Sequence, residues 1–328
     1  MPTRRRWCCI TYLNNNNTYT MKNVRQLLLI PLLAAATLAP ARTVVTDAEA
    51  SGHSGTARVM SYNVRIEVSG DTADMSWKSR RPGVVRMIHL QAPDIVGIQE
   101  PTVAQKEYIF ENLPEYGHYC INVNDTLPES RTGNTALLYR LDKYEPVDSG
   151  YFWLSATPWT PSLPWDASDP YYRVGIWLRL LDKATGRDVY ALTTHFPYMS
   201  SAKDDEVRAR CSRLIVDKLA SIAGDDAAVF VTGDMNTAPV AGEPDAPGSR
   251  SLAPFYTWMQ SAREQAVITD DIASFNGFGT VPPGAQTGAI DHIYYRNARP
   301  LVFETLTASD TGLRWNSDHY PVVCTFTY

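Results

Sequence analysis

From residue 57 onward the chain is a succession of short apolar runs, each closed by polar or turn-forming residues. The runs at 57–63, 94–99, 135–139, 174–181, 188–194, 227–232, 289–295, 301–307 and 321–327 have strand length. Several hold almost no polar position, as strands covered on both faces do. Three longer segments change period. Residues 77–90 carry Val84, Val85, Met87 and Ile88, and 103–112 form a shorter helix. In 203–223, Val207, Cys211, Leu214, Ile215, Leu219 and Ile222 step by three and four, and Gly224 is placed to end the helix. Many strands with few helices predict an α/β fold with two packed sheets and outer helices in a single domain. Residues 153–172, rich in Pro and Trp, and 239–251, rich in Pro, Gly and Asp, read as loops that rim a site.

The N-terminal segment does not follow this pattern. A basic stretch at 21–25, an apolar run at 27–38 and Ala39-Pro40-Ala41 have the layout of a cleaved leader, residues 1–41. Residues 1–20, with four consecutive asparagines, read as lying upstream of a true start at Met21. The apolar run is well short of the roughly 20 residues a membrane span needs. The reading is therefore a soluble secreted or periplasmic protein comprising one domain, 42–328, with no stable membrane anchor and most simply a monomer.

Cleavage changes the charge. Removing 1–41 deletes five basic residues and no acidic one, so 25 basic residues face 35 acidic ones and the formal charge moves from −5 to −10. Such a chain lacks the overall footprint of a nucleic-acid binder, whose affinity comes from Lys and Arg meeting phosphates. Of five cysteines, Cys120, Cys211 and Cys324 remain, far apart in sequence. Cys211 on a helical stripe and Cys324 in a strand read as buried thiols, with one disulfide as the alternative.

Lone polar residues close several apolar runs: Asn63, Glu100, His195, the pair Asp234 and Asn236, Asp291, and Asp318-His319 just before the last strand. Taken singly each has an ordinary reading, such as a turn for Gly233-Asp234-Met235-Asn236 or a hydrogen-bonded structural imidazole for His195. Together they are carboxylates, carboxamides and histidines without a nucleophilic Ser or Cys, a set suited to a hard divalent cation and an activated water.

Their order along the chain carries more. Ser61-Tyr62-Asn63, Gly97-Ile98-Gln99-Glu100, Thr194-His195-Phe196, Gly233-Asp234-Met235-Asn236, Ile290-Asp291-His292-Ile293 and Ser317-Asp318-His319-Tyr320-Pro321 resemble, in sequence order, the motifs of the endonuclease/exonuclease/phosphatase superfamily. Trp77-Lys78-Ser79-Arg80-Arg81, residues 150–155, Trp165-Asp166 and Ser274-Phe275-Asn276-Gly277-Phe278 are similar to blocks of its secreted bacterial branch. The resemblance implies a four-layer α/β sandwich, two mixed β-sheets flanked by helices, and Mg²⁺- or Mn²⁺-dependent hydrolysis of phosphate esters. Carried over by motif, Glu100 would be the main metal ligand, with Asn63 nearby and Asp318 assisting. Asp234 would activate water and Asn236 would hold the phosphoryl group. His319, oriented by Asp291, would stabilise phosphate charge, and His195 would meet a phosphoryl oxygen from the other side. Pro197-Tyr198 and His292 depart from the pattern of this branch.

The leading reading is an exported phosphatase or phosphodiesterase acting on a phosphorylated sugar or other small polar ester. The alternatives are a secreted nuclease or sphingomyelinase-like phosphodiesterase, with nucleic acid not favoured as partner, and a non-catalytic binding protein on the same fold. Trp153, Trp159, Trp165, Tyr171 and Tyr172 read as substrate-stacking or loop-packing residues. Arg81, Arg173, Arg208 and Arg213 are candidates for binding a second phosphate.

Overall fold

Two parallel strand pairs organise the chain: β1 (Thr56–Asn63) beside β2 (Ile95–Gln99), and β7 (Asp188–His195) beside β8 (Ala228–Asp234). Parallel neighbours need a long crossover. The helix α1 (Trp77–Gln91) supplies it for the first pair; α2 (Val103–Glu111) follows β2, and α3 (Ala202–Ile222) joins the second pair. Four antiparallel strands complete each sheet. The first adds β3 (Tyr116–Ile121), β4 (Thr135–Arg140), β11 (Arg299–Thr305) and β12 (Val322–Thr327), in the order β11-β12-β1-β2-β4-β3. The second adds β5 (Tyr144–Trp153), β6 (Val174–Asp182), β9 (Gln260–Ser261) and β10 (Asp291–Arg296), in the order β5-β6-β7-β8-β10-β9. The computed structural model describes residues 55–121, 135–282, 284–285 and 288–328, all within one unit, Ser54–Tyr328. The expected leader, 1–41, lies outside the described residues.

The continuous apolar runs are explained by the layers. In β8, Ala228 and Phe230 face the other sheet, where Val59, Ile95, Leu137 and Phe326 meet them. Their neighbours Val229 and Val231 face Val207, Cys211, Ile215 and Leu219 of α3. On the first sheet, Met60, Tyr62, Val96 and Ile98 pack against Val84, Met87 and Ile88 of α1 and Ile109 of α2. With side chains alternating by two, both faces of each central strand are apolar, giving the four layers helix, sheet, sheet, helix. Burying each large side chain contributes about 1.5–3 kcal/mol.

Strand direction fixes where function sits. The C-terminal ends of both parallel pairs open on one rim, and β10 and β12, antiparallel to β8 and β1, begin there. Asp291 lies opposite Asp234, and Val322 opposite Ser61. Beneath this rim the sheets approach closely at Gly97, where a Cβ would run into the hydroxyls of Thr193 and Thr232.

Three strands escaped the sequence pattern. β5 is an edge strand with alternating exposed positions, a bulge between Pro146 and Asp148, and Gly150, so it mimics a loop. β3 is the half-buried edge of its sheet, and β9 has only two residues. Residues 239–251 are not loop throughout: a short helix, α4 (Pro247–Leu252), begins there with Pro at its first turn. Cys211 and Cys324 are buried free thiols, as expected, and Cys120 is half-buried.

Candidate active site

Asn63, Glu100, His195 and Asp234 stand at or just beyond the ends of β1, β2, β7 and β8, and the fold brings them together. Asn63 is the bridge: its Nδ2 donates to Asp234 Oδ2 at 2.9 Å and to Glu100 Oε1 at 3.2 Å, while its Oδ1 accepts from the Arg65 N–H at 2.9 Å. Glu100 accepts the Ile66 N–H through Oε2 at 2.8 Å. Asp234 Oδ1 accepts the Asn236 N–H at 2.9 Å, and its Oδ2 lies 3.5 Å from His195 Nε2 and 3.7 Å from His319 Nε2. Arg65, Glu100 and Asn236, three residues at this rim, have left-handed φ angles of 59°, 68° and 50°, unusual for residues with a Cβ.

The buried charges push on one another. Burial, and then the nearby Asp291 carboxylate, push the Asp234 carboxyl up to about 7, so it holds its proton far more readily than an ordinary aspartate. Asp291 Oδ2 lies 2.7 Å from His319 Nδ1. Burial opposes charge on His319, but Asp291 and Asp234 outweigh it and raise its pKa well above the usual histidine range. The opposite happens at His195, where burial, Arg173 and His319 lower the pKa well below normal and leave the ring neutral. Burial raises the Asp318 pKa, and repulsion from Glu100 adds to it against the lowering effect of His319.

Asn236 uses both amide hydrogens within the protein, donating to Phe196 O at 3.0 Å and to His195 Nε2 at 2.9 Å. His195 therefore carries its proton on Nδ1, a buried atom without a partner among the described residues. Asp318 stands slightly apart. Its Oδ2 lies 3.5 Å from Arg65 Nη1, and it belongs to neither tight ligand group, Glu100–His195–Asp234 or Asp234–Asp291–His319, whose ligand atoms lie within 4.8 Å of one another. The rim thus unites every sequence-derived site residue, with Asp318 at its margin.

A divalent cation fits this donor set. Glu100 and Asp318 offer hard carboxylate oxygens whose mutual repulsion a cation would relieve, with Asp234, Asn63 and His195 alongside.

Sequence reasoning missed the support beneath the rim. Gln99 Nε2 donates to Thr193 Oγ1 at 2.9 Å and to Ser61 Oγ at 3.3 Å, tying the sheets together. Ser61, Thr193 and Thr232 each precede a site residue by two, so a polar face ending in Asn63, His195 or Asp234 was present to be read. Arg80 is fully buried, with Nε on Met75 O at 2.6 Å, Nη1 on Val64 O at 2.8 Å and Asn316 O at 2.9 Å, and Nη2 on Arg65 O at 3.3 Å. It joins the segment after Asn63 to the segment before Asp318. Arg80→Met is expected to destabilise the protein by at least ~3 kcal/mol in urea unfolding, because several carbonyls lose their donor in a dry interior. The Phe275 block also braces the rim. Phe275 pairs with His319 as an isolated bridge, and the Asn276 and Gly277 amides donate to Asp318 O at 2.8 and 3.0 Å.

The candidate second-phosphate arginines are otherwise engaged. Arg173 pairs with Asp169 at 3.3 Å, Arg208 is buried on Pro197 O, Met199 O and Asp205, Arg81 lies over the Tyr108 ring, and Arg213 meets Thr257. Arg208 is thus buried rather than open to solvent. Trp153 is in the core, Trp165 packs beside α3 under Arg210, and Trp159 is exposed with Lys218 of α3 over its ring, so these tryptophans lie by the core and α3 rather than at the rim.

Two six-stranded sheets back to back, gathering carboxylates, carboxamides and imidazoles at one rim, define a class of protein: the phosphoesterases. The Endonuclease/Exonuclease/phosphatase family model matches residues 60–319, and the chain belongs to that family. Among solved structures it is similar to an endonuclease/exonuclease/phosphatase from Bacteroides vulgatus, with 28% identity, TM-score 0.71, and coverage of 83% of this chain and 98% of the other. It is also similar to a mannosyl-6-phosphatase from Bacteroides thetaiotaomicron, with 25% identity, TM-score 0.71, and coverage of 83% and 100%. A curated relative, an uncharacterised protein of Acanthamoeba polyphaga mimivirus, is 25% identical over 167 residues, 49% of this chain and 59% of that protein. The family's enzymes depend on a divalent metal, and this chain holds acidic and histidine groups able to bind one.

Proposed function

We propose that this protein is an exported Mg²⁺- or Mn²⁺-dependent phosphoesterase that hydrolyses a phosphorylated sugar or another small polar phosphate ester. The observation that carries the reading is Asp234: one buried carboxylate, pushed up to about 7, fixed by Asn63 and Asn236 and placed within 4 Å of two imidazole nitrogens. The metal-dependent class, the formal charge of −10 after residue 41, and the likeness to a mannosyl-6-phosphatase support the substrate class. The leader-like pattern of 1–41 supports export, and among the described residues no helix is long and apolar enough to cross a membrane.

Glu100 and Asp318, with Asn63, would hold the cation, which when bound supplies charge neutralisation on a phosphoryl oxygen. Asp234, with its raised pKa, is suited to take a proton from water near neutral pH. His319, kept charged by Asp291, stabilises negative charge gathering on the phosphoryl group. Neutral His195 sets the Asn236 amide, and the amide hydrogen it now receives is the one that turns to a phosphoryl oxygen when substrate binds.

The test is phosphate release from mannose 6-phosphate, compared with degradation of single-stranded and duplex DNA at two salt concentrations. Sugar-phosphate turnover well above nuclease activity is expected. Nuclease activity that dominates and falls steeply with salt would replace this substrate class with nucleic acid.

A further inference from the structure

Arg65 is a residue that neither the motifs nor the mechanism above uses. It stands two positions beyond Asn63, and its main chain is held from three sides. Its N–H donates to Asn63 Oδ1 at 2.9 Å, and its carbonyl accepts from Gln105 Nε2 at 2.9 Å and Arg80 Nη2 at 3.3 Å. The resulting φ of 59° is strained for an arginine, and these buried partners keep it there. Its side chain, 31% exposed, reaches the margin of the rim.

The guanidinium is oriented as well as placed. Asp71 engages one edge, with Nε at 3.0 Å and Nη2 at 3.3 Å. A guanidinium has five N–H donors, so the Nη1–Nη2 edge remains. Among the described residues that edge meets only Asp318 Oδ2, at 3.5 Å, longer than a good charge-assisted hydrogen bond. A planar fork fixed on one side and weakly engaged on the other matches the spacing of two phosphate oxygens.

Charge selects the kind of phosphate. A phosphomonoester carries close to two negative charges near neutral pH, and a diester carries one. The rim is rich in carboxylates: Glu100, Asp234, Asp291 and Asp318. His319 is tied to Asp291, and Arg80 donates its hydrogen bonds to carbonyls. Arg65 presents a cation to whatever extra charge a monoester brings.

Building on the phosphoesterase reading, we propose that Arg65 is a specificity-determining residue that pairs its Nη1–Nη2 edge with two non-bridging oxygens of a dianionic phosphoryl group, so that the site prefers phosphomonoesters.

The test compares wild type, Arg65→Gln, Arg65→Lys and Asp234→Asn with Mg²⁺ present. Turnover is measured on mannose 6-phosphate and on bis(p-nitrophenyl) phosphate, and inorganic phosphate binding is measured by calorimetry at pH 8. For Arg65→Gln, kcat/KM on the monoester is expected to fall ~100-fold and inorganic phosphate affinity at least ~10-fold, with a much smaller loss on the diester. Arg65→Lys, which keeps the charge and loses the fork, should fall between and guards against misfolding of the Gln variant. Equal losses on both esters, or unchanged inorganic phosphate affinity in both Arg65 variants, would overturn the proposal. Asp234→Asn is expected to lose turnover of both esters. If it does so while the Arg65 variants keep wild-type monoester preference, Arg65 alone is misassigned; if it keeps turnover, the phosphoesterase mechanism itself fails.

Discussion

Asp234→Asn is expected to lower kcat by about 10³-fold or more while making the metal-free protein more stable at pH 8. The two effects share a cause. In the folded protein the Asp234 carboxyl is pushed from its ordinary 3.8 up to about 7, whereas the unfolded chain ionises it at the ordinary value. As pH rises from about 4 to about 7 the unfolded state gives up this proton first, so stability is lost across that window and stays lost above it. A displacement of this size corresponds to at most roughly 4 kcal/mol. That displacement already contains the His319 attraction, and the neutral amide gains no more than it. Urea unfolding of EDTA-treated proteins at pH 5 and pH 8 checks the sign: the variant's advantage should be large at pH 8 and small at pH 5. Equal stability at both pH values would show that Asp234 is not held as described.

The second large effect concerns the Asp291–His319 pair. Asp291→Asn removes the carboxylate 2.7 Å from Nδ1 that, with Asp234, overcomes burial and keeps His319 charged. Its kcat is expected to fall by about 10²–10³-fold, the range for removing one donor that stabilises transition-state charge. The pH profile is the more discriminating readout. With charged His319 stabilising the phosphoryl group as proposed, activity is expected to fall as pH rises through its raised pKa, so the substitution should move the alkaline limb toward lower pH. His319→Ala should remove that limb altogether. An alkaline limb that stays in place in both variants would mean another group sets it.

Much of the architecture was legible because the central strands are covered on both faces. Runs such as 227–232 and 188–194 have few polar positions to blur them, and α3 carries an uninterrupted stripe from Val207 to Ile222. Edge strands were the losses. β5 exposes one face and carries Pro146 and Gly150, so its local chemistry is that of a turn and only pairing with β6 makes it a strand. The site residues were legible as types because polar groups at the ends of apolar runs are conspicuous. What binds them together was not, since Asn63 and Asp234 are 171 positions apart and only sheet packing brings them into contact. The hydrogen-bond budget was hidden for the same reason: the spacing of Asp234 and Asn236 reveals neither that Asn236 gives a hydrogen to His195 nor that Arg80 serves carbonyls from three segments.

The central claim is that the carboxylates of this rim work with a divalent cation to drive water onto a phosphate ester. Its most direct test is phosphate release from mannose 6-phosphate by EDTA-stripped protein, before and after Mg²⁺ is restored, with Asp234→Asn alongside. The account predicts no release without metal, recovery with Mg²⁺, and no recovery in the variant. Release that survives EDTA and is unchanged by the substitution would contradict it.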